Sequence, residues 1–373
     1  MIYFDNAATT RPNENALDFA KQFNDDFYFN PSALYRAGIN VANELKKTKD
    51  VILQSLGTTS HEVIFTSCGS EANNLAIFSS VKRGVFVTDE GEHASVYKSF
   101  LEKKNLGEKV FFVGLNVDGS VNLSLLFDYV KNNRVDFVSI MHVNNETGAI
   151  NDVNLIAERL KSINPKLVFH VDGVQAYGKI PYVLSNKIDF YSISAHKING
   201  LKGVGALIKN KKSKLTPHIF GGGQENGYRS GTENVFGIKV FEYAIKYHFE
   251  NIKKNYSHVK EINDYIKSSL NNENISVLSG QNSSPYILSV SIKGLRGEVI
   301  MHALEEENII VGNGSACSSK NRFSRVLSAC GFDDNVLDGV LRLSFSDATT
   351  IDEAKIFVEQ INDIVKKYKR IIN

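Results

Sequence analysis

Between about residues 60 and 210, short apolar runs rich in β-branched residues alternate with stretches of helical periodicity, the pattern of an α/β unit with a mostly parallel sheet. The strand candidates are "EVIFTS", "GVFVTD", "DFVSIMHV", "KLVFHVD", "DFYSISA" and "GVGALIK". Helices lie between them, as at residues 152–163, where Leu155, Ile156, Leu160 and Ile163 recur on one face. A long helix is expected near residues 254–270, with Val259, Ile262, Ile266 and Leu270 on one side, leading into a second lobe. That lobe shows strand candidates at 286–292 and 341–345 and a closing helix over about 351–368, whose start Thr350 and Glu353 mark as a capping box. No internal repeat or long linker separates the lobes, and their boundary falls near residue 252.

Composition narrows the class. With 373 residues, 42% apolar and 23% charged, the chain reads as globular, able to bury a large core and far from disordered or fibrous proteins. Its 43 basic and 41 acidic residues leave a formal charge of +2, too little to gather nucleic acid, so no direct nucleic-acid partner is expected. The opening "MIYFDNAATTRP" lacks the features of a secretory signal, and no apolar run reaches the length of a membrane span; the expectation is a cytoplasmic protein with no membrane partner. Cys68, Cys317 and Cys330 form neither a disulfide framework nor a metal-binding pair, so each is expected as a free thiol and no metal site is expected.

The polar residues with chemical potential follow the strand candidates, where open α/β sheets place their ligands. In "SAHKING", Lys197 follows a buried-looking strand, just after Ser194 and His196. A lone lysine there is ordinarily a surface charge; partly desolvated, it is an amine able to attack an aldehyde. Asp172 of "HVDGVQAYGK" ends an apolar strand, where a carboxylate is costly unless it caps a turn or meets a cation such as a pyridinium nitrogen, and Gln175 could donate to the neighbouring ring oxygen. "FTSCGSEANN" runs from strand to helix, so Gly69 and Ser70 could cradle a phosphate with Ser194 and His196, or form an ordinary capped turn. His93 of "EHASV" could stack on a ring and shuttle protons, and Asn145 of "MHVNNETG" stands at another strand end. Arg342 of "LRLSF" points away from the apolar face formed by Leu341, Leu343 and Phe345, where its fork could clamp a carboxylate. Cys317 sits in the Gly- and Ser-rich "NGSACSSKNR", either an incidental surface thiol or a nucleophile on a loop that can travel.

The order of "YFDNAATT", "NPSALY", "FTSCGSEANNLAI", "EHASV", "MHVNNETG", "HVDGVQAYGK", "SAHKINGLKGVGAL", "GGGQENGYRSGTEN", "NGSACSS" and "LRLSF" resembles the NifS/IscS-type cysteine desulfurases, pyridoxal 5'-phosphate (PLP) enzymes of fold type I in the class V aminotransferase family. The resemblance implies a large PLP-binding domain over 13–251, with a mostly parallel mixed sheet flanked by helices, and a smaller α+β domain from 1–12 and 252–373 carrying the cysteine loop. It implies that Lys197 holds the cofactor as a Schiff base, Asp172 its ring nitrogen, Gln175 its phenolate oxygen and His93 its ring face. Gly69, Ser70, Ser194 and His196 would hold the phosphate, and Thr232 of "RSGTEN" would reach the cofactor of a second subunit, making an obligate homodimer with shared active sites. Asn30, Asn145 and Arg342 form the implied substrate set for L-cysteine. Cys317 would take the substrate sulfur as a persulfide, leaving alanine, and pass it to an acceptor protein for iron–sulfur cluster assembly or tRNA thiolation. A selenocysteine lyase or another class V aminotransferase-type enzyme is the alternative, and a non-catalytic sulfur-relay subunit a third, opposed by the intact Lys197, Asp172, His93 and Arg342. Departures from the family pattern are Cys68 in the phosphate cradle, Gly173 after the aspartate, Asn313 in the cysteine loop and Asp347 after "LRLSFS". Of the other thiols, Cys330 reads as a packed core residue and Cys68 as packing or a second modifiable sulfur.

Overall fold

A computed structural model describes residues 1–270, 272–313 and 323–372, with side chains through Tyr368. Its strands are β1 (Ile2–Phe4), β2 (His61–Thr66), β3 (Val85–Asp89), β4 (Lys109–Val113), β5 (Phe137–Ser139), β6 (Val168–Asp172), β7 (Phe190–Ser194), β8 (Gly205–Asn210), β9 (Ile275–Val277), β10 (Ile287–Ile292), β11 (Ile309–Asn313) and β12 (Val340–Ser344). They form a seven-stranded sheet in the order β2-β8-β7-β6-β5-β3-β4 and a five-stranded sheet in the order β1-β11-β12-β10-β9.

In the large sheet β4, β3, β5, β6 and β7 run parallel, and β8 runs antiparallel to both its neighbours. Parallel neighbours need helical crossovers, which cover both sheet faces and explain why β6 and β7 are buried almost throughout. β8 escapes that rule because it returns from β7 after a short connection that begins with the single-turn helix Ala195–Lys197. Lys197 thereby leaves the sheet beside the carboxyl end of β7, and the register Asp172↔Ser192 brings the end of β6 to the same edge.

The expected strand at "DFVSIMHV" is shorter than its apolar run: regular pairing covers Phe137–Ser139 only. Beyond it His142 N–H donates to Asp172 O at 2.9 Å and Val143 bridges Ile150, so the chain peels toward the site. The edge strand β4 lies outside the strand candidates of the sequence, as does β1, which pairs in parallel with β11 across some three hundred residues. The long helix starts well before its expected position and runs from Val235 to Ser269, passing through residue 252 without a break. Asn234 caps it by accepting the Gly237 N–H at 3.0 Å. Its first half puts Ile238, Phe241 and Ile245 into the core of the large sheet, and its second half puts Val259, Ile262 and Ile266 into the core of the small one.

β1 delivers residues 5–10 to the junction of the two sheets. Phe4 locks it there, fully buried and edge-on to Phe345 and Phe357 at centroid distances of 5.2 and 5.7 Å. Among the described residues no helix is long and apolar enough to cross a membrane. Phe4→Ala is expected to cost about 3–5 kcal/mol in urea unfolding; a loss below about 1 kcal/mol would show that β1 is not held by this ring.

Candidate active site

Where β6 and β7 end, a cavity of about 540 Å³ opens between the large sheet and β11 and β12 of the small one. Lys197, Asp172, Gln175, His93, Asn145, Gly69, Ser70, Ser194, His196 and Arg342 all line it, although they come from segments scattered over some 270 residues.

Each is placed by a local cause. Gly69 and Ser70 open the helix Gly69–Ser79, whose first N–H groups face outward unpaired by helix geometry. A Cβ at Gly69 would stand 2.7 Å from Val174 Cγ2, so only glycine lets the helix end approach the strand ends so closely. Beside it the Ser194 hydroxyl is buried with no hydrogen-bond partner among the described residues. An open helix start with an orphaned buried donor is the cradle a phosphate requires.

Asp172 is buried, with Oδ2 accepting from Asn73 Nδ2 at 2.7 Å and Oδ1 from Val174 N–H at 3.0 Å. No basic side chain forms an ion pair with it among the described residues, so the cavity presents a buried carboxylate able to take a cationic N–H. His93 caps the helix Ala94–Asn105: its Nδ1 accepts from Ser95 N–H at 3.2 Å, which orients the ring and leaves Nε2 as the nitrogen free of the cap. Burial, and then the nearby cations Lys197, Arg325 and Arg342, push the imidazole pKa down against the pull of Asp172. The ring is therefore neutral near pH 7, with its proton on Nε2 because Nδ1 accepts from Ser95. His196 is held by Thr9 Oγ1 at 3.2 Å and depressed to about 4, by burial first and then by Lys197, Lys202 and Lys179.

Lys197 Nζ donates to the carbonyl oxygens of Ala7 at 2.6 Å and Ala8 at 2.8 Å. Gln175 Nε2 donates to the same Ala7 oxygen at 2.8 Å, while its Oε1 accepts from Lys179 Nζ at 2.9 Å. Arg342 Nη2 donates to Asp5 Oδ1 at 2.8 Å and Nη1 to Asn145 O at 3.0 Å; its Nε is buried with no partner among the described residues, a donor left for an anion. Asn145 Oδ1 is likewise buried and unpartnered. The residues present therefore fit PLP with an amino-acid substrate: a phosphate cradle, a buried carboxylate for the ring nitrogen, an amine, and a guanidinium donor for a carboxylate.

Asn30 and Thr232 are not in this cavity; both are exposed, and Thr232 borders a separate small pocket with Glu225 and Arg229. Their segments adjoin each other, Gln224 Nε2 reaching Ser32 Oγ at 3.4 Å. Cys317 lies outside the described residues. Cys330 is a core residue whose thiol burial pushes up to about 12, whereas Cys68 is half-buried and lines the cavity at its cradle end. Among the described residues no group of three His, Cys, Asp or Glu could hold a metal ion.

Sequence reasoning missed Asp5, Asn73, Ser95 and Lys179. Asp5 stands in "YFDNAATT" and Lys179 in "HVDGVQAYGK", both quoted motifs, but neither partner could be read without the fold. Asn73 was detectable as a helical residue one turn into "FTSCGSEANN", on the face of Gly69 and Ser70.

The aminotransferase class-V family profile matches residues 2–357. A NifS/IcsS protein homolog of Lactobacillus delbrueckii is 35% identical over 100% of this chain and 99% of its own. A cysteine desulfurase IscS of Dictyoglomus turgidum is 33% identical over 99% of this chain and 96% of its own. Among solved structures, a NifS-like protein superposes with a TM-score of 0.91 at 32% identity, covering 98% of this chain and 99% of that one. The X-ray structure of a NifS-like protein from Rickettsia africae gives 0.88 at 30% identity, with coverage of 98% and 99%.

Gly69→Ala is expected to destabilise the protein by about 1–3 kcal/mol through overpacking against Val174, and Val174→Ala to relieve part of that cost. Denaturant unfolding of both singles and the double reads this coupling; strictly additive losses would rule out the contact as the cause.

Proposed function

This chain belongs to the class V aminotransferases and, among them, to the PLP-dependent NifS/IscS cysteine desulfurases, and from that membership we propose that it moves the sulfur of L-cysteine onto Cys317 and leaves L-alanine. The observation that supports this most is the convergence of Lys197, Asp172, His93 and Arg342 on one cavity that also holds the orphaned Ser194 hydroxyl and Arg342 Nε.

PLP, when bound, supplies the electron sink for the pair released at the substrate's α-carbon. Lys197 would hold the cofactor through its amine, Asp172 the ring nitrogen, Gln175 the phenolate oxygen, and Gly69, Ser70, Ser194 and His196 the phosphate. Arg342, with its Nη2 already fixed by Asp5, would turn Nε to the substrate carboxylate beside Asn145. Lys197 then moves the α-proton, and neutral His93, whose Nδ1 accepts from Ser95 N–H, presents its ring N–H at Nε2 as a donor. The Cys317 thiolate attacks the substrate sulfur: an S–S bond forms, the C–S bond breaks, its electron pair stays with the substrate carbon, and protonation there gives alanine. The persulfide passes to an acceptor protein, for iron–sulfur cluster assembly or tRNA thiolation.

Thr232 and Asn30 enter the reading through a second copy of the chain. Their surroundings expose large apolar side chains, Leu34 at 93% and Phe220 at 82%, more than a lone subunit normally leaves in water. In a homodimer these surfaces would be covered and Thr232 would face the partner's cofactor phosphate. The lobes would then act as a PLP-binding domain over 13–251 and a smaller domain over 1–12 and 252–373, in the cytoplasm.

With L-cysteine and a thiol reductant, the PLP-loaded protein is expected to release sulfide and alanine in equal amounts, and Cys317→Ser to keep its colour while losing nearly all of both. Equal activity of the two would sink the persulfide role and turn the search to selenocysteine or amino transfer. Light scattering is expected to give a dimer, and Leu34→Glu to shift it toward monomer with loss of turnover; a fully active monomer would refute the shared site.

A further inference from the structure

Lys179 is 3% exposed, yet no carboxylate forms an ion pair with it among the described residues. Its ammonium donates to Gln175 Oε1 at 2.9 Å and stands 5.9 Å from the ring centroid of Tyr286. Around it are Lys197 and His196 from the turn after β7, Arg342 from β12, His248 from the long helix and Tyr286 before β10. Burial, followed by the charges of Lys197 and Arg342, lowers its pKa to about 7. A buried lysine set among cations is expensive to keep, and a methionine of similar volume would pack there without that cost.

What the lysine does is visible in the hydrogen bonds of Gln175. A side-chain amide can be turned end for end with little change in shape, and only its partners decide which end is oxygen. Here both partners are one-sided. The Ala7 carbonyl can only accept, and Lys179, whenever its amine is protonated, can only donate. Gln175 must therefore give Nε2 to Ala7 and Oε1 to Lys179. Turned over, it would set oxygen against oxygen at Ala7 and N–H against ammonium at Lys179. In the enforced orientation the second Nε2 hydrogen remains for an acceptor in the cavity that Gln175 lines. The Ala7 carbonyl favours the same orientation, and Lys179 adds a second constraint from the other end of the amide.

We propose that Lys179 is a positioning residue that fixes the amide of Gln175, so that the anionic ring oxygen of bound PLP always meets an N–H donor and never the amide oxygen. The proposal rests on the cofactor reading above. It assigns to a lysine outside the cavity a role in the electronics of the ring, exercised through one hydrogen bond.

The test is the pH titration of the bound chromophore's absorbance in the holoenzyme, with thermal unfolding as a control for the fold. A donor at the ring oxygen competes with the chromophore's own proton for that atom, so losing it raises the titration midpoint. Lys179→Met is expected to raise the midpoint by on the order of one unit, a tenfold gain in proton affinity. In a Gln175→Ala background the same substitution is expected to add nothing, since there is no amide left to orient. An unchanged midpoint in Lys179→Met would overturn the proposal, as would an equal shift in both backgrounds, which would mark Lys179 as a plain charge. If the methionine variant does not fold, Lys179→Gln, whose own amide can present either end, carries the test: a midpoint raised only when Gln175 is present supports the proposal, and an unchanged midpoint or an equal shift in both backgrounds overturns it. A parent protein that takes up no chromophore from added PLP refutes the cofactor reading instead, so the two failures are distinct.

Discussion

The carbonyl oxygen of Ala7 is the point on which the site turns. It accepts from Lys197 Nζ and from Gln175 Nε2, while the Ala7 N–H donates to Ser344 Oγ at 2.8 Å. One residue thus accepts from the amine after β7 and the amide after β6 and donates to a hydroxyl at the end of β12. Asp5, two residues before, takes Arg342, and Thr10, three residues after, accepts the Asn199 N–H at 2.7 Å and donates to His196 O at 3.0 Å. The segment is extended and carries its own unpaired backbone groups, which must be satisfied wherever they are buried. Here they are satisfied by the functional side chains, so the scaffold and the site share the same hydrogen bonds.

That arrangement depends on two sheets whose ends face each other. Parallel strands send their carboxyl ends to one edge, and the short antiparallel return to β8 puts Lys197 at that edge too. β1, delivered beside β11 by Phe4 and its aromatic neighbours, brings the first residues of the chain across the gap. The continuous helix Val235–Ser269 is part of both cores and limits how far the sheets can move apart.

Electrostatically the cavity is prepared for ligands whose charges it lacks. Asp172 is buried without a basic partner among the described residues, and burial, reinforced by the cations around the cavity, depresses His93, His196 and Lys179. A cofactor with an anionic phosphate, an anionic ring oxygen and a protonated ring nitrogen complements this distribution, and a substrate carboxylate completes it. Burying such groups uncompensated is costly, which is why their orphaned atoms mark the site so clearly.

Lys197, Asp172, Gly69 and Arg342 were legible in the sequence because each declares itself locally: a charge at the end of an apolar strand, a glycine at a strand-to-helix turn, a charge on the strand face opposite an apolar one. The periodicities likewise disclosed β6, β7, β10 and the closing helix, since burial on one or both faces imprints directly on residue choice. The edge strand β4 and the short β1 are composed of strand formers, but their place at a sheet edge and beside β11 is set by pairing that the sequence does not show. Asp5 meets Arg342 across 337 residues, Asn73 meets Asp172 across 99, and Lys179 draws its meaning from which end of an amide faces it. The sequence by itself determined the chemical groups and their place at strand ends, because strand and helix propensities are local. Only the tertiary structure decided which donor meets which acceptor, because hydrogen-bond partners are chosen by distances that folding creates between remote segments.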